Sequence, residues 1–230
     1  MNLFDLETFL SNVSEYTIPV LFALTMREVA HGWAARLFGD RTAELLGRLS
    51  LNPFKHLDVI GTALVPCLLM TMTPVPMFGW ARPVPVATGA LKYPRLATLG
   101  VAAAGVLANV LMALMWAAVL ALIVHIPHNR TGVAWIGWMA QRGVRSNVYL
   151  AYLNLLPIPP LDGGRALLGL LPNTVANSFQ KIEPLGLLLV LLLLVTASLQ
   201  QFGIGVFLKP ANDAAYFLLE TVIPATVRGP

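Results

Sequence analysis

The sequence predicts an all-α polytopic membrane protein of about four to six transmembrane helices, with one broken helix and one short extended edge segment. Three observations predict it. Of 230 residues, 57% are hydrophobic and only 11% are charged, with a mean hydropathy of +0.73, whereas a soluble domain carries about 25% charged residues. Several apolar runs approach or exceed the roughly 20 residues that cross a bilayer. Proline and glycine interrupt two of these runs, and lipid tolerates such breaks only where protein or a wet cavity covers them.

The elements follow in order. Residues 9–38 read as an apolar helix that also carries Arg27, Glu28, His31 and Arg36. Residues 39–58 read as a polar connection, from Gly39-Asp40-Arg41 to His56. Residues 59–78 are apolar but hold Pro66, Pro74 and Pro76, so this span is short or kinked. Residues 79–95 set proline between branched residues, as in Arg82-Pro83-Val84-Pro85-Val86, a spacing that forbids a helix and suits an extended edge. Residues 96–126 form the longest uninterrupted apolar helix, and residues 127–143 a polar loop. Residues 144–171 are apolar but broken by Pro157, Pro159, Pro160, Gly163 and Gly164. Residues 185–202 are almost pure leucine and valine, and residues 212–227 make a weaker last helix. The firm spans lie near 15–37, 97–125, 144–171 and 185–202, with 59–78 and 212–227 open. One membrane-embedded domain over 1–230 is expected, its motifs within 20–170 and its C-terminal helices within 185–227, with no soluble module.

Charge narrows the classes of partner. The net charge of +4 is scattered and no basic run tracks a phosphate backbone, so nucleic acid is excluded as a partner. The charge suits topology or contact with anionic lipid. Seven of the 15 Lys and Arg lie between residues 36 and 95, which places the 39–58 connection in the cytoplasm with the N-terminus opposite. Asp5, Glu7 and Glu15, with no early Lys or Arg, are the wrong charge for a cleavable signal peptide. A single cysteine, Cys67, excludes an intramolecular disulfide and reads as a small buried side chain.

Two features are chemically anomalous in this setting. Arg27, Glu28 and His31 sit in the first apolar helix, where charge is costly and normally faces a bundle interior or a wet cavity. Residues 27 and 31 share a helix face one turn apart, and Glu28 is offset by one residue, where a general base beside a metal would sit. Had Arg27 been histidine, residues 27–31 would be the His-Glu-x-x-His zinc motif. The plain alternative is a helix that ends early and leaves these groups in the interface. The second anomaly runs from Asn154 to Asp162, a proline-rich break with a carboxylate inside an apolar span. Its plain alternative is a re-entrant loop without chemistry.

Together these segments resemble the site-2 protease family of intramembrane zinc metalloproteases. The matching pieces are Glu28-Val29-Ala30-His31-Gly32, Phe38-Gly39-Asp40, Gly47-Arg48-Leu49-Ser50-Leu51-Asn52-Pro53, Lys55-His56-Leu57-Asp58, Phe78-Gly79-Trp80-Ala81-Arg82-Pro83-Val84-Pro85-Val86, Ala104-Gly105 with Asn109, and Asn154-Leu155-Leu156-Pro157-Ile158-Pro159-Pro160-Leu161-Asp162-Gly163-Gly164. They occur in family order, and no soluble domain interrupts them, as in the minimal bacterial and archaeal members. The resemblance implies an integral, multi-pass protein of a bacterial or archaeal cell membrane that hydrolyses membrane-embedded protein or peptide substrates with zinc. It implies that His31 and Asp162 are metal ligands, that Glu28 is the general base, and that Asn154 assists at the oxyanion or the substrate backbone. Asn109 is implied near the site. Trp80, Arg82 and Val84 lie on a segment implied to pair with an unwound substrate by strand addition. In such a site three protein ligands leave one position for water, the metal lowers that water's pKa towards ~7, and a carboxylate moves the proton to the leaving amine.

Arg27 departs from this pattern at the first ligand position. A guanidinium has no lone pair to give and stays protonated, so zinc affinity and activity are expected to be reduced. Three explanations stay open: His56 as a substitute ligand, a recent or introduced change in an active enzyme, and a natural loss that leaves a non-catalytic, protease-like membrane binding protein. In the last case Arg27 is expected to replace the cation by pairing with Asp162 or Glu28. A channel or transporter is disfavoured by the ordered motifs and the lack of repeat symmetry.

Overall fold

In the computed structural model the described residues are 6–72, 78–126, 131–172, 175–176, 179, 183–198 and 205–223. Helix α1 covers Leu6–Leu37 and is followed by the short α2, Thr42–Leu45. A π-helical turn over Val59–Leu64 runs into α3, Val65–Met72. Then come α4 at Pro94–Ile123, α5 at Thr131–Leu155, α6 at Asp162–Leu170, α7 at Glu183–Ser198 and α8 at Gly205–Val222. The described residues contain no strand. Pro94 opens α4 at a position where a missing N–H costs nothing. Asn52 and Asp58 cap the turns of the 39–58 connection, accepting from the Phe54 and Gly61 amides at 3.0 and 2.7 Å.

Helices α1, α4 and α5 form the centre. Glu15 meets Arg142 at 3.0 Å and Arg27 meets Asn154 at 2.9 Å, so α1 and α5 run parallel. α4 runs antiparallel to both: Gly105 faces His31, Asn109 reaches the Ala23 carbonyl, and Trp116 lies against Gly143. One apolar cluster joins Val20 and Leu24 of α1 to Leu150 and Leu153 of α5 and to Val190 and Leu194 of α7. Another joins Trp116 and Leu120 to Ala140, Val144 and Leu219.

The packing of α4 reverses that of a soluble helix. Beside Asn109, Met112, Trp116 and Leu120 it buries five small residues, Ala97, Ala102, Gly105, Ala113 and Ala117. It exposes Leu107, Leu111 and Leu122 at 58%, 65% and 75%. Small inward faces let helix backbones approach closely, and outward aliphatic side chains suit hydrocarbon. α4 is long and apolar enough to cross a membrane, with a hydropathy of 2.5. Leu185, Leu188, Leu189 and Leu192 of α7 point outward in the same way, while Val190 and Leu194 face inward.

Three sequence expectations change. The polar loop expected over 127–143 is helical from Thr131, because its polar groups find partners on α1: Arg142 pairs with Glu15 and Trp135 reaches the Ser14 hydroxyl. The span 144–171 is two helices, α5 and α6, separated at the prolines. The segment 78–87 has no regular secondary structure and no strand partner among the described residues. Pro74 and Pro76 lie outside the described residues.

Asp40 ties the turn after α1 to this irregular segment. Its Oδ1 accepts from the Thr42 amide and hydroxyl at 2.9 and 2.5 Å, and its Oδ2 accepts from the Ala87 amide at 2.6 Å. Burial pushes the carboxyl up, but the bonds from Thr42 and Ala87 outweigh it and hold the group below the ordinary 3.8. A carboxyl whose folded value is depressed stabilises the fold fully above its unfolded value and loses that contribution as pH falls through the folded one. Asp40→Asn is therefore expected to cost about 1–2 kcal/mol at neutral pH. Denaturation of both proteins against pH should show that difference shrinking below about pH 4.

Candidate active site

Helix α1 carries Arg27, Glu28 and His31 within one turn, deep in the bundle, at 9%, 4% and 4% exposure. Asn154 is in the last turn of α5, where its amide donates to the Leu150 carbonyl at 2.8 Å and so fixes which way its oxygen points. Asp162 opens α6, where the unpaired amides of a first turn favour a carboxylate. The break between α5 and α6 folds back tightly. A Cβ on Gly163 would lie 2.4 Å from the Leu155 carbonyl oxygen, and one on Gly164 would lie 2.3 Å from the Pro159 nitrogen. Glycine at both positions lets Asp162 return to within reach of α1.

The guanidinium of Arg27 is the hub. Its Nε and Nη2 donate to Oδ2 and Oδ1 of Asp162 at 3.0 and 2.7 Å, a bidentate fork. Nη2 also donates to Asn154 Oδ1 at 2.9 Å, and Nη1 to Glu28 Oε1 at 2.8 Å. Four of the five guanidinium protons are thus held by three side chains from three helices. His31 lies between the same two carboxylates, with Nε2 at 3.2 Å from Asp162 Oδ2 and Nδ1 at 3.8 Å from Glu28 Oε1. Two carboxylates around one guanidinium leave one formal negative charge over, and the imidazole rests against it. The whole group is pressed onto the backbone of α4: a Cβ on Gly105 would stand 2.0 Å from His31 Nε2 and 2.9 Å from Asp162 Oδ2.

Glu28 is held from its other side by the irregular segment. The Val84 amide donates to Glu28 Oε2 at 2.8 Å. The alternate amides before it are bonded too, Trp80 to the Gly61 carbonyl at 3.0 Å and Arg82 to the His56 carbonyl at 2.8 Å. Arg48 clamps it further, donating from Nη2 to the Arg82 carbonyl at 2.9 Å and from Nη1 to the Lys55 carbonyl at 2.6 Å. Gly32 leaves room for this arrangement, since a Cβ there would meet Val84 Cγ1 at 3.0 Å.

A cleft of about 580 Å³ opens onto Glu28, His31 and Asp162. Val84, Val101 and Leu168 give it apolar walls, and Arg165 and Glu183, 4.0 Å apart, stand at its rim. Of the residues expected from sequence, the structure brings Arg27, Glu28, His31, Asn154, Asp162 and Val84 together. It keeps three apart. Asn109 is fully buried between helices and donates to Asn147 Oδ1 at 3.1 Å, away from the cleft. The Trp80 indole packs on Gly61, because only glycine there leaves room for the ring. Arg82 joins the network through its backbone, and its side chain is exposed. His56 is not a substitute ligand: it is buried in the connection with Nε2 2.9 Å from the Ser50 carbonyl. Arg48 and the Val84 amide escaped the sequence reading because a backbone donor and a carbonyl clamp leave no residue-type signal.

The residues present do not fit a zinc ion as they are arranged. Zinc needs free lone pairs from three ligands at about 2.0–2.2 Å. Both oxygens of Asp162 and one of Glu28 already accept guanidinium protons, and the guanidinium that bridges the two carboxylates is itself a cation that repels a second one. Among the described residues no three His, Cys, Asp or Glu side chains are placed to hold a metal.

No family model matches the chain, and no solved structure matches it. Two curated proteins do. One, from Bacillus subtilis (strain 168), bears the name "Putative zinc metalloprotease YwhC" and is 38% identical over 190 residues, 81% of this chain and 83% of its own length. The other, from Mycolicibacterium smegmatis (strain ATCC 700084 / mc(2)155), bears the name "Putative zinc metalloprotease Rip2" and is 29% identical over 184 residues, 79% of this chain and 67% of its own.

Removing the hub leaves two buried carboxylates without a counter-charge. Arg27→Ala is expected to destabilise the fold by about 3–5 kcal/mol, measured by denaturant unfolding in detergent, and a loss below about 1 kcal/mol contradicts the pairing. Gly105→Ala is expected to displace His31 and lower the melting temperature through a steric route that leaves every charge in place.

Proposed function

The chain belongs to the zinc metalloprotease family of YwhC, and from that membership we propose an intramembrane endopeptidase framework of site-2 type whose peptide hydrolysis is impaired by Arg27. The observation that carries this reading is the guanidinium fork on Asp162, with Glu28 and Asn154 on its remaining protons. In this reading a fixed cation takes the place of the exchangeable zinc. The multi-pass membrane reading is supported by the outward leucines of α4 and α7 and by the inward small residues of α4. The expected partners are a lipid bilayer and a membrane-embedded protein or peptide segment.

The same geometry favours a second reading, a protease-like binding protein that grips such segments without cutting them. The cleft is open to Glu28, His31 and Asp162 and has apolar walls, so it is suited to hold an unwound apolar segment whether or not a metal is bound.

Metal analysis of the purified chain beside Arg27→His, with both incubated with a model transmembrane peptide, separates the possibilities. The unaltered chain is expected to carry less than about 0.1 zinc per chain and to leave the peptide intact, whereas Arg27→His is expected to carry about one zinc and to cleave. Binding of the peptide by the uncleaving parent supports the gripping role. Full zinc occupancy in the parent overturns the impairment.

A further inference from the structure

The end of the bundle farthest from the guanidinium hub has a polar feature that the candidate active site does not use. There residues 7–15 of α1 and 133–145 of α5 meet the last turns of α4 and α8. Two cavities, of about 520 and 470 Å³, share a wall made by Trp138, Gln141 and Arg145, each within the size range of small-molecule sites. The first is polar, with Ser11, Asn12 and the Arg142–Glu15 pair. The second is largely apolar, with Leu120, Ile123, Val124 and Val133. A polar chamber beside an apolar one, with a cation at the boundary, has the form of an amphiphile site.

The two arginines there differ. Arg142 donates to Glu15 at 3.0 Å and to the Tyr16 hydroxyl at 3.4 Å, so its charge is answered within the protein. Arg145 is half-buried, its guanidinium carbon lies 5.6 Å from the centre of the Tyr216 ring, and it makes no hydrogen bond or ion pair to a described residue. A guanidinium partly withdrawn from water is costly until an anion meets it, and its fork matches a phosphate. Glu7 and Glu220 also line these cavities. They have contacts of their own, and their charge opposes a headgroup that is only anionic. Trp135 and Trp138, 38% and 56% exposed, are the aromatic residues expected where headgroups meet acyl chains.

We propose that this pair of cavities binds one phospholipid with an amine-bearing zwitterionic headgroup. Its phosphate sits on Arg145 and Gln141, its ammonium faces the carboxylate side, and one acyl chain lies in the chamber between α4, α5 and α8. The inference is independent of zinc and of peptide hydrolysis.

Native mass spectrometry tests it on the full chain taken from vesicles of equal phosphatidylethanolamine and phosphatidylglycerol. One phosphatidylethanolamine is expected to stay bound, preferred about tenfold over phosphatidylglycerol, and Arg145→Gln is expected to lower its retention about tenfold. Ala134→Trp fills the apolar chamber with Arg145 intact and is expected to expel the lipid as well, so the result does not rest on one variant folding. Arg95→Gln, on an exposed residue at the other end of α4, is expected to change nothing. Retention as high as the parent's in Arg145→Gln and in Ala134→Trp, equal retention of the two lipids, or inorganic phosphate binding as tightly as the lipid would each overturn the proposal.

Discussion

A guanidinium shared between Asp162, Glu28 and Asn154 organises the centre of this protein. Two carboxylates brought this close in a poorly solvated interior repel one another, and neither can stay ionised without a cation. A divalent ion is one answer. Arg27 is another, and it differs in kind: it is covalently attached, permanently charged and planar, and its fork takes both oxygens of Asp162 at once. A metal can leave and be replaced, but this cation cannot. The junction of α1, α5 and α6 is therefore closed by the chain's own side chain.

Much of the surrounding structure exists to let these groups approach. Gly105 brings the α4 backbone against His31 and Asp162, and Gly163 and Gly164 let the loop between α5 and α6 fold flat beneath α6. On the far side of Glu28 an irregular segment is held by Arg48, Asp40 and the backbone of the connection, and it delivers one amide, that of Val84, to the carboxylate. Glu28 is thereby bonded from both sides, to a cation and to a backbone donor. That environment favours a fixed carboxylate and leaves it little freedom to shuttle a proton.

The long helices were readable because apolar runs with few charges have few alternatives. The spacing of Arg27, Glu28 and His31 placed them together, and the break at 154–162 announced a second polar element. That these meet is a tertiary fact that order along the chain supports but cannot contain. Other features were not readable for physical reasons. Residues 131–143 look like a loop because Arg142 and Gln141 are polar, and only the partner Glu15 on α1 makes a helix there acceptable. Asn109 and Trp80 are residue types expected at a site, yet one bridges helices through Asn147 and the other covers Gly61. The alternating prolines of 83 and 85 correctly forbade a helix and removed the donors of one edge, while the amides of Trp80, Arg82 and Val84 are taken by Gly61, His56 and Glu28 rather than by a strand.

The most direct test of the central claim is a double-mutant cycle between Arg27→Gln and Asp162→Asn, with unfolding free energies measured for the parent, each single variant and the pair. A buried bidentate fork predicts a coupling of about 2–4 kcal/mol, so that the second substitution costs little once the first is made. A coupling within about 0.5 kcal/mol of zero would mean that Arg27 and Asp162 do not share their charge in the folded protein.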